Sequence, residues 1–244
     1  MTQALEIKNL VKTFGGLTAT DNLSFDIKEG QSVGLIGPNG AGKTTVFSQI
    51  MGELKQTSGQ ISLFGKDVGN FSPAERIRRG VSRTYQIPRP FPDLSVSENI
   101  RVGLMPNSIW SMILKGPNIN REEELAIDVG FSKKDFHKPA SDLSMGDLRK
   151  LELARTIATG AKVLLLDEVF AGLTTGEIAQ ISVLIQNLRL SGFTMLMVSH
   201  DLPALEPLVD HVIAIERGRM IAAGSFSEVI KDDVVRTSYL GQIQ

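Results

Sequence analysis

The chain contains no cysteine, which removes disulfides, thiolate metal sites and a cysteine nucleophile together. It also lacks an excess of one charge: 26 basic side chains stand against 27 acidic ones, so no long-range field argues for nucleic acid as the main partner. Long apolar runs are missing too. The stretches at residues 163–166 and 195–198 have the length of buried strands and fall well short of the ~20 apolar residues of a membrane-spanning helix. No basic segment followed by an apolar one opens the chain, so no signal peptide is expected. There is no internal repeat and no low-complexity tract, hence one nucleotide site per chain at most. The expectation is a soluble chain that, if it works at a membrane, docks onto a separate membrane subunit. With 244 residues, 42% apolar and 22% charged, the composition is that of an ordinary globular domain, or a domain with a subdomain, with a substantial core.

What is present centres on Gly37-Pro38-Asn39-Gly40-Ala41-Gly42-Lys43-Thr44-Thr45, directly after the apolar run Val33-Gly34-Leu35-Ile36. A triphosphate carries closely spaced oxyanions, and binding it needs backbone N–H groups with no side chains in the way; Gly37, Gly40 and Gly42 leave that room. Lys43 adds a point charge for the β- and γ-phosphates. Thr44 opens the following helix with a hydroxyl suited to Mg²⁺, at a helix N-terminus whose unpaired N–H groups favour anions; Thr45 has a smaller, helix-side role.

Residues 5–14 alternate apolar and polar for much of their length, and residues 23–27 repeat the pattern after Gly15-Gly16, as half-exposed antiparallel strands do. Phe14 ends the first of them beside a turn, where an aromatic either stacks on a purine or packs as a core or edge side chain. A short strand is expected over 60–64. Ser72 as N-cap, Pro73 at N1 and Glu75 at N3 open a helix that stops at Gly80, with Arg76, Arg78 and Arg79 as a solvated face. Residues 81–86 return as a strand ending on Gln86. From residue 87 to 138 prolines punctuate short helical patterns, one opened by Ser95 and Glu98 and one over 121–129 closed by Gly130. Residues 108–114 hold the only tryptophan, Trp110, in either a partner-facing apolar patch or a buried helix. After a helix over 147–158, strands at 163–166, 195–199, 212–215 and 220–223 alternate with helices at 178–190 and 202–209, which means a mostly parallel sheet.

The strand Val163-Leu164-Leu165-Leu166 delivers Asp167 and Glu168 at its C-terminal end, where ligands collect in open α/β sheets. Asp167 suits the Mg²⁺ held by Thr44, and Glu168 a water attacking the γ-phosphate in line. Gln86 is a candidate bridge between metal and attacking water. His200, a lone histidine, is either a satisfied polar group or a γ-phosphate donor. Leu143-Ser144-Met145-Gly146-Asp147 makes a second anion-binding helix start, with Ser144 as N-cap and Gly146 allowing close backbone approach. One P-loop leaves that second site no ligand of its own. The economical arrangement is a head-to-tail dimer in which this helix closes over the nucleotide of the other chain. A GTPase would need an Asn-Lys-x-Asp base reader, and no Asn-Lys pair occurs.

Together these residues resemble the nucleotide-binding subunit of ABC transporters along the whole chain: Gly37 to Thr45 resembles Walker A, Gln86 the Q-loop, Leu143 to Asp147 the signature, Val163 to Asp167 Walker B, Ala171-Gly172-Leu173-Thr174 the D-loop and His200 the switch histidine. The resemblance implies an α/β P-loop NTPase of the ABC ATPase type, with a mixed sheet core and an antiparallel β subdomain in residues 1–86 and 159–244, and an inserted helical subdomain with the signature in 87–158. It implies ATP and Mg²⁺ as cofactors. Phe14 would pack on adenine; Gly37, Pro38, Asn39, Gly40, Ala41, Gly42, Lys43, Thr44 and Thr45, with Ser144 and Gly146, would hold nucleotide. Thr44, Gln86 and Asp167 would serve the metal, and Glu168, His200 and Gln86 catalysis. Implied partners are integral membrane permeases docking at residues 87–99, and a second copy or a related ATPase; the place of work is the cytoplasmic face of a membrane. Phe14-Gly15-Gly16-Leu17, Ser82-Arg83-Thr84-Tyr85-Gln86, Leu151-Glu152-Leu153-Ala154-Arg155 and Ser238-Tyr239-Leu240-Gly241 are similar to the ATPases of branched-chain amino-acid importers. Urea-importer and lipopolysaccharide-export ATPases share much of this pattern, and soluble ABC ATPases share the motifs. Three positions depart from it: Val169 in place of a proline is expected to loosen the turn after Glu168, Thr174 to weaken a cross-dimer contact, and Asp147 to oppose closure over ATP.

Overall fold

A computed structural model describes residues 2–105 and 119–240, so the tryptophan segment at 108–114 lies outside the described residues. β1 (Gln3–Phe14) and β2 (Leu17–Lys28) pair antiparallel with Phe14 opposite Leu17, which makes Gly15-Gly16 a two-residue turn. The second strand outruns the 23–27 expected because its 12-residue partner sets the register. β3 (Ser32–Ile36) runs into the glycine-rich loop and α1 (Lys43–Met51) follows it. β4 (Ser58–Leu63) then returns to the other edge of β1, with β5 (Lys66–Asp67) beside it in the order β2-β1-β4-β5.

α2 (Pro73–Arg78) starts as expected, with Ser72 and Glu75 in a reciprocal capping box. Its arginines do not all lie on a solvated face. Arg76 is buried and donates to the carbonyls of Gln49 (2.6 Å) and Ile50 (2.9 Å) at the end of α1. These are the orphan acceptors of a helix C-terminus, which a cation satisfies. β6 (Val81–Arg83) is shorter than the strand read over 81–86. The Thr84 N–H still donates to the Leu165 carbonyl at 2.9 Å; beyond it the backbone leaves the sheet, and the Tyr85 N–H donates to Glu152 Oε1 at 2.8 Å.

Among the described residues three α-helices follow, α3 (Val96–Leu104), α4 (Ile119–Asp128) and α5 (Met145–Ala158). The chain then alternates through β7 (Val163–Asp167), α6 (Thr175–Leu190) and β8 (Thr194–Val198). The helix expected over 202–209 shrinks to one turn, α7 (Leu202–Leu205), continued as a 3₁₀ turn over Glu206–Leu208 in which Pro207 has no N–H to donate. β9 (His211–Glu216) and β10 (Arg219–Gly224) form an antiparallel pair, and α8 (Phe226–Lys231) and α9 (Asp233–Leu240) close the described chain.

The main sheet has the order β10-β9-β3-β8-β7-β6, parallel from β9 to β6. Side chains alternate across it. Val163 and Leu165 of β7 join a core with Phe47 of α1 and Leu5 and Ile61 of the smaller sheet, while Leu164 and Leu166 join one with Ile100, Leu125, Leu151 and Ile181. Covering both faces is what turns β7 into an unbroken apolar run. Val169 lies in the second core, so packing pins the turn that was expected to be loose.

Arg149 of α5 ties the helical region to the sheet. Fully buried, it donates to the carbonyls of Tyr85 (2.6 Å) and Gln86 (2.9 Å) and to Glu152 Oε2 (2.6 Å). Burial pushes the Glu152 carboxyl above its usual range, opposed by the Tyr85 N–H and Arg149. Removing the cation strands that carboxylate. Urea unfolding of Arg149→Met is expected to show a loss of about 3–5 kcal/mol; a loss under about 1 kcal/mol, the worth of a surface pair, would contradict the assignment.

Candidate functional site

Parallel pairing places the C-terminal ends of β3, β6, β7 and β8 along one edge of the sheet. The glycine-rich loop, Gln86, Glu168 and His200 leave from those ends and meet around a cleft of about 750 Å³. Phe14 and Asn39 to Thr45 line it with them, and so does Arg217.

Backbone geometry makes the loop a cradle. Gly37 and Gly42 take positive φ (155° and 107°), and a Cβ there would meet the Ile215 carbonyl at 2.2 Å and the Ala19 carbonyl at 2.4 Å. Only glycine fits these two positions. α1 then begins at Gly42 with no side-chain cap and no acidic residue in its first turn. Its first N–H groups are left for an anion. By contrast α2, α3, α6 and α8 each open with a reciprocal capping box. Lys43 is buried and donates to the carbonyls of Gly37 (2.6 Å) and Pro38 (3.0 Å). Burial lowers its pKa, opposed by the nearby charges of Glu168 and Asp167. Thr44 is exposed at the helix start and lines the cleft.

At the end of β7 the two carboxylates have different surroundings. Asp167 is buried and does not line the cleft; its Oδ2 accepts from Arg83 at 2.6 Å and its N–H donates to Thr84 Oγ1 at 3.1 Å. Glu168 adopts φ 50°, which turns its side chain away from the strand's alternation. Its Oε2 accepts the His200 N–H at 3.2 Å. The His200 ring nitrogen Nε2 lies 3.3 Å from Oε1, an ion pair when the ring is protonated, and Oε1 is buried with no hydrogen bond to it. The Gln86 side chain is exposed, while its backbone carbonyl is held by Arg149. Phe14 is half-exposed with the Lys12 ammonium 5.0 Å from its ring centroid, an edge aromatic with an open face.

Ser144 and Gly146 do not line this cleft. Ser144 caps α5 through Asp147 N–H (3.1 Å), and the Gly146 N–H donates to Glu177 Oε1 at 3.0 Å. Thr174 spends its hydroxyl as the N-cap of α6, bonded to Glu177 Oε2 at 2.9 Å. Asp147 is paired with Lys150 at 3.1 Å, which offsets the carboxylate expected to repel a nucleotide. Sequence reasoning missed the polar side chains behind the cleft, Arg83, Glu53, Arg149 and Glu152, and also Arg217, whose positive φ of 48° follows β9. A charged residue between strand signals, as Arg83 is, was the available clue.

A glycine cradle opening an uncapped helix, with carboxylates at the end of another strand of the same parallel sheet, defines the P-loop class of nucleotide-binding ATPases. A family model described as ABC transporter matches residues 20–171. The high-affinity branched-chain amino acid transport ATP-binding protein LivG of Salmonella typhimurium is 34% identical, covering 98% of either chain. Its counterpart BraF of Pseudomonas aeruginosa is 32% identical over the same shares. Among solved structures, a nucleotide-free ATP-binding cassette from an ABC transporter superposes with a TM-score of 0.87 at 29% identity, covering 97% of this chain and 98% of that one. The ADP conformation of such a cassette gives 0.86 at 29%, covering 99% and 100%. The chain belongs to the ABC transporter family, as an ATP-binding subunit. No helix among the described residues is long and apolar enough to cross a membrane.

Because the cradle depends on backbone shape, Gly42→Ala is expected to cost about 1–3 kcal/mol from the left-handed conformation alone and to abolish binding of a fluorescent ATP analogue. Wild-type affinity in that variant would mean the loop is not the cradle.

Proposed function

We propose that this chain is the ATP-hydrolysing motor of an importer for branched-chain amino acids or similar small solutes, working at the cytoplasmic face of a membrane. The printed names of LivG and BraF support the substrate class. Residues 87–99 are the proposed docking site for a permease, since Ile87 is 73% and Phe91 44% exposed, large apolar side chains left open beside the Q-loop. The unit that moves there is taken to be residues 87–158, hung on the core of residues 1–86 and 159–244.

In this reading Phe14 packs on adenine, and the backbone of Gly37 to Gly42, with Lys43, Thr44 and Thr45, holds the phosphates. The residues fit Mg²⁺: Thr44 and Asp167 offer hard oxygen donors, and Mg²⁺ on a nucleotide needs only one or two from protein. Bound there, it would neutralise charge developing on the β- and γ-phosphates, with Gln86 beside it. Glu168 carries the proposal. Its carboxylate is fixed through Oε2 by the His200 N–H while Oε1 has no donor, which leaves a positioned acceptor for the proton of an attacking water. In the same reading His200, which lines the cleft, donates to the γ-phosphate. Ser144 and Gly146, outside the cleft, close over the nucleotide of a second copy or of a related ATPase.

Glu168→Gln is expected to keep ATP affinity and lose turnover by ~10²–10⁴-fold; full steady-state hydrolysis would overturn the assignment of the base. With the Thr174 hydroxyl occupied in a cap, ATP-dependent dimers of the isolated subunit should be weak. Size-exclusion chromatography of Glu168→Gln with ATP at physiological salt is expected to give mostly monomer, and tight dimers would refute that.

A further inference from the structure

Arg83 is the least expected charge in the molecule. It ends β6 with a side chain only 5% exposed, among groups that single out one neighbour. Nη2 donates to Asp167 Oδ2 at 2.6 Å; Nη1 donates to Ser48 Oγ at 3.0 Å and to Glu53 Oε2 at 2.8 Å. Ser48 lies one helical turn beyond Thr44 on α1, so the two occupy the same helix face. The next residue, Thr84, takes the Asp167 N–H. Two consecutive residues therefore hold both the backbone and the carboxylate of Asp167.

We propose that Arg83 is a positioning residue for the metal site, cross-linking the helix that carries Thr44 to the strand that carries Asp167 and committing one Asp167 oxygen so that the other faces the metal. The inference rests on the proposed metal role of Asp167. Its geometry differs from that of a pair that only stabilises the fold. A guanidinium fork bridging two elements fixes their separation, whereas a buried ion pair is weak evidence for stability on its own. The cluster extends outward as well. Glu53 Oε1 accepts the Tyr85 hydroxyl at 2.7 Å, and the Arg89 guanidinium stacks 4.8 Å from the Tyr85 ring centroid, at the start of the proposed docking segment. Burial and the Glu53 hydrogen bond push the Tyr85 hydroxyl up to about 12, so it stays a donor at any physiological pH. Residues behind the ligands that orient them commonly carry 10–100-fold of metal affinity.

The test is binding of a fluorescent ATP analogue to the full chain, first in EDTA and then across a Mg²⁺ titration, with melting temperatures of the nucleotide-free proteins as the control for folding. Arg83→Met and Arg83→Lys are expected to bind the analogue in EDTA as the wild type does. The half-saturating Mg²⁺ should rise about 10–100-fold in Arg83→Met and by less in Arg83→Lys, which keeps a charge but loses the fork. Asp167→Asn separates the two levels of the argument. If it raises the Mg²⁺ requirement while a folded Arg83→Met does not, Arg83 is structural and the inference fails alone. If Asp167→Asn leaves the requirement unchanged, the metal reading of Asp167 fails and takes the inference with it. Should Arg83→Met not fold, Arg83→Lys decides: a wild-type Mg²⁺ requirement in it refutes the proposal.

Discussion

Parallel hydrogen bonding between β3, β8, β7 and β6 is the constraint on which the site depends. It forces the C-terminal ends of strands far apart in sequence onto one edge, and each chain segment leaving that edge carries one part of the site. Such pairing is available only to strands covered on both faces. The smaller antiparallel sheet covers one face and the helices α3 to α6 the other, and the alternating side chains of β7 divide between the two cores. The apolar residues thus do more than stabilise: they hold the cradle, the carboxylates and the histidine within one cleft.

A second layer of polar ties lies behind that edge. Arg83 joins α1 to β7, Arg149 joins α5 to the backbone around Gln86, and Glu177 joins the start of α6 to the start of α5. Each spans elements that packing alone would leave free to shift. Arg149 and Arg83 are nearly dry, so their partners are fixed by the cost of leaving a charge unpaired. A displacement of the segment after Gln86 would accordingly be felt at the carbonyls Arg149 holds, and through Tyr85 and Glu53 at Arg83.

Much of this was legible in the chain. The glycine spacing, the apolar strand ending in Asp167 and Glu168, and the capping boxes at Ser72 and Ser95 are local signals read without tertiary context, and the structure places them as expected. What escaped needed a partner from elsewhere. Arg76 sits in an arginine-rich helix that looks solvated until the end of α1 is placed against it. The helix expected over 202–209 in the strand–helix alternation ends after one turn, where Pro207 breaks it. The start of α6 at Thr175 followed from a capping box between Thr174 and Glu177 that the loop context disguised. Ser144 and Thr174 both commit their hydroxyls to helix caps within the chain, partners that the motif reading did not include.

In the proposed arrangement the site is divided between two polypeptides, with a cradle on one and a lid helix on the other. This arrangement is tested most directly by mixing two variants, Lys43→Ala, which loses the cradle, and Ser144→Arg, which loses the lid, at protein concentrations high enough for association. Each alone should be inactive, and an equal mixture should recover about a quarter of the wild-type rate, because half the dimers then hold one intact site of two. No recovery, or full hydrolysis by Ser144→Arg alone, would contradict it.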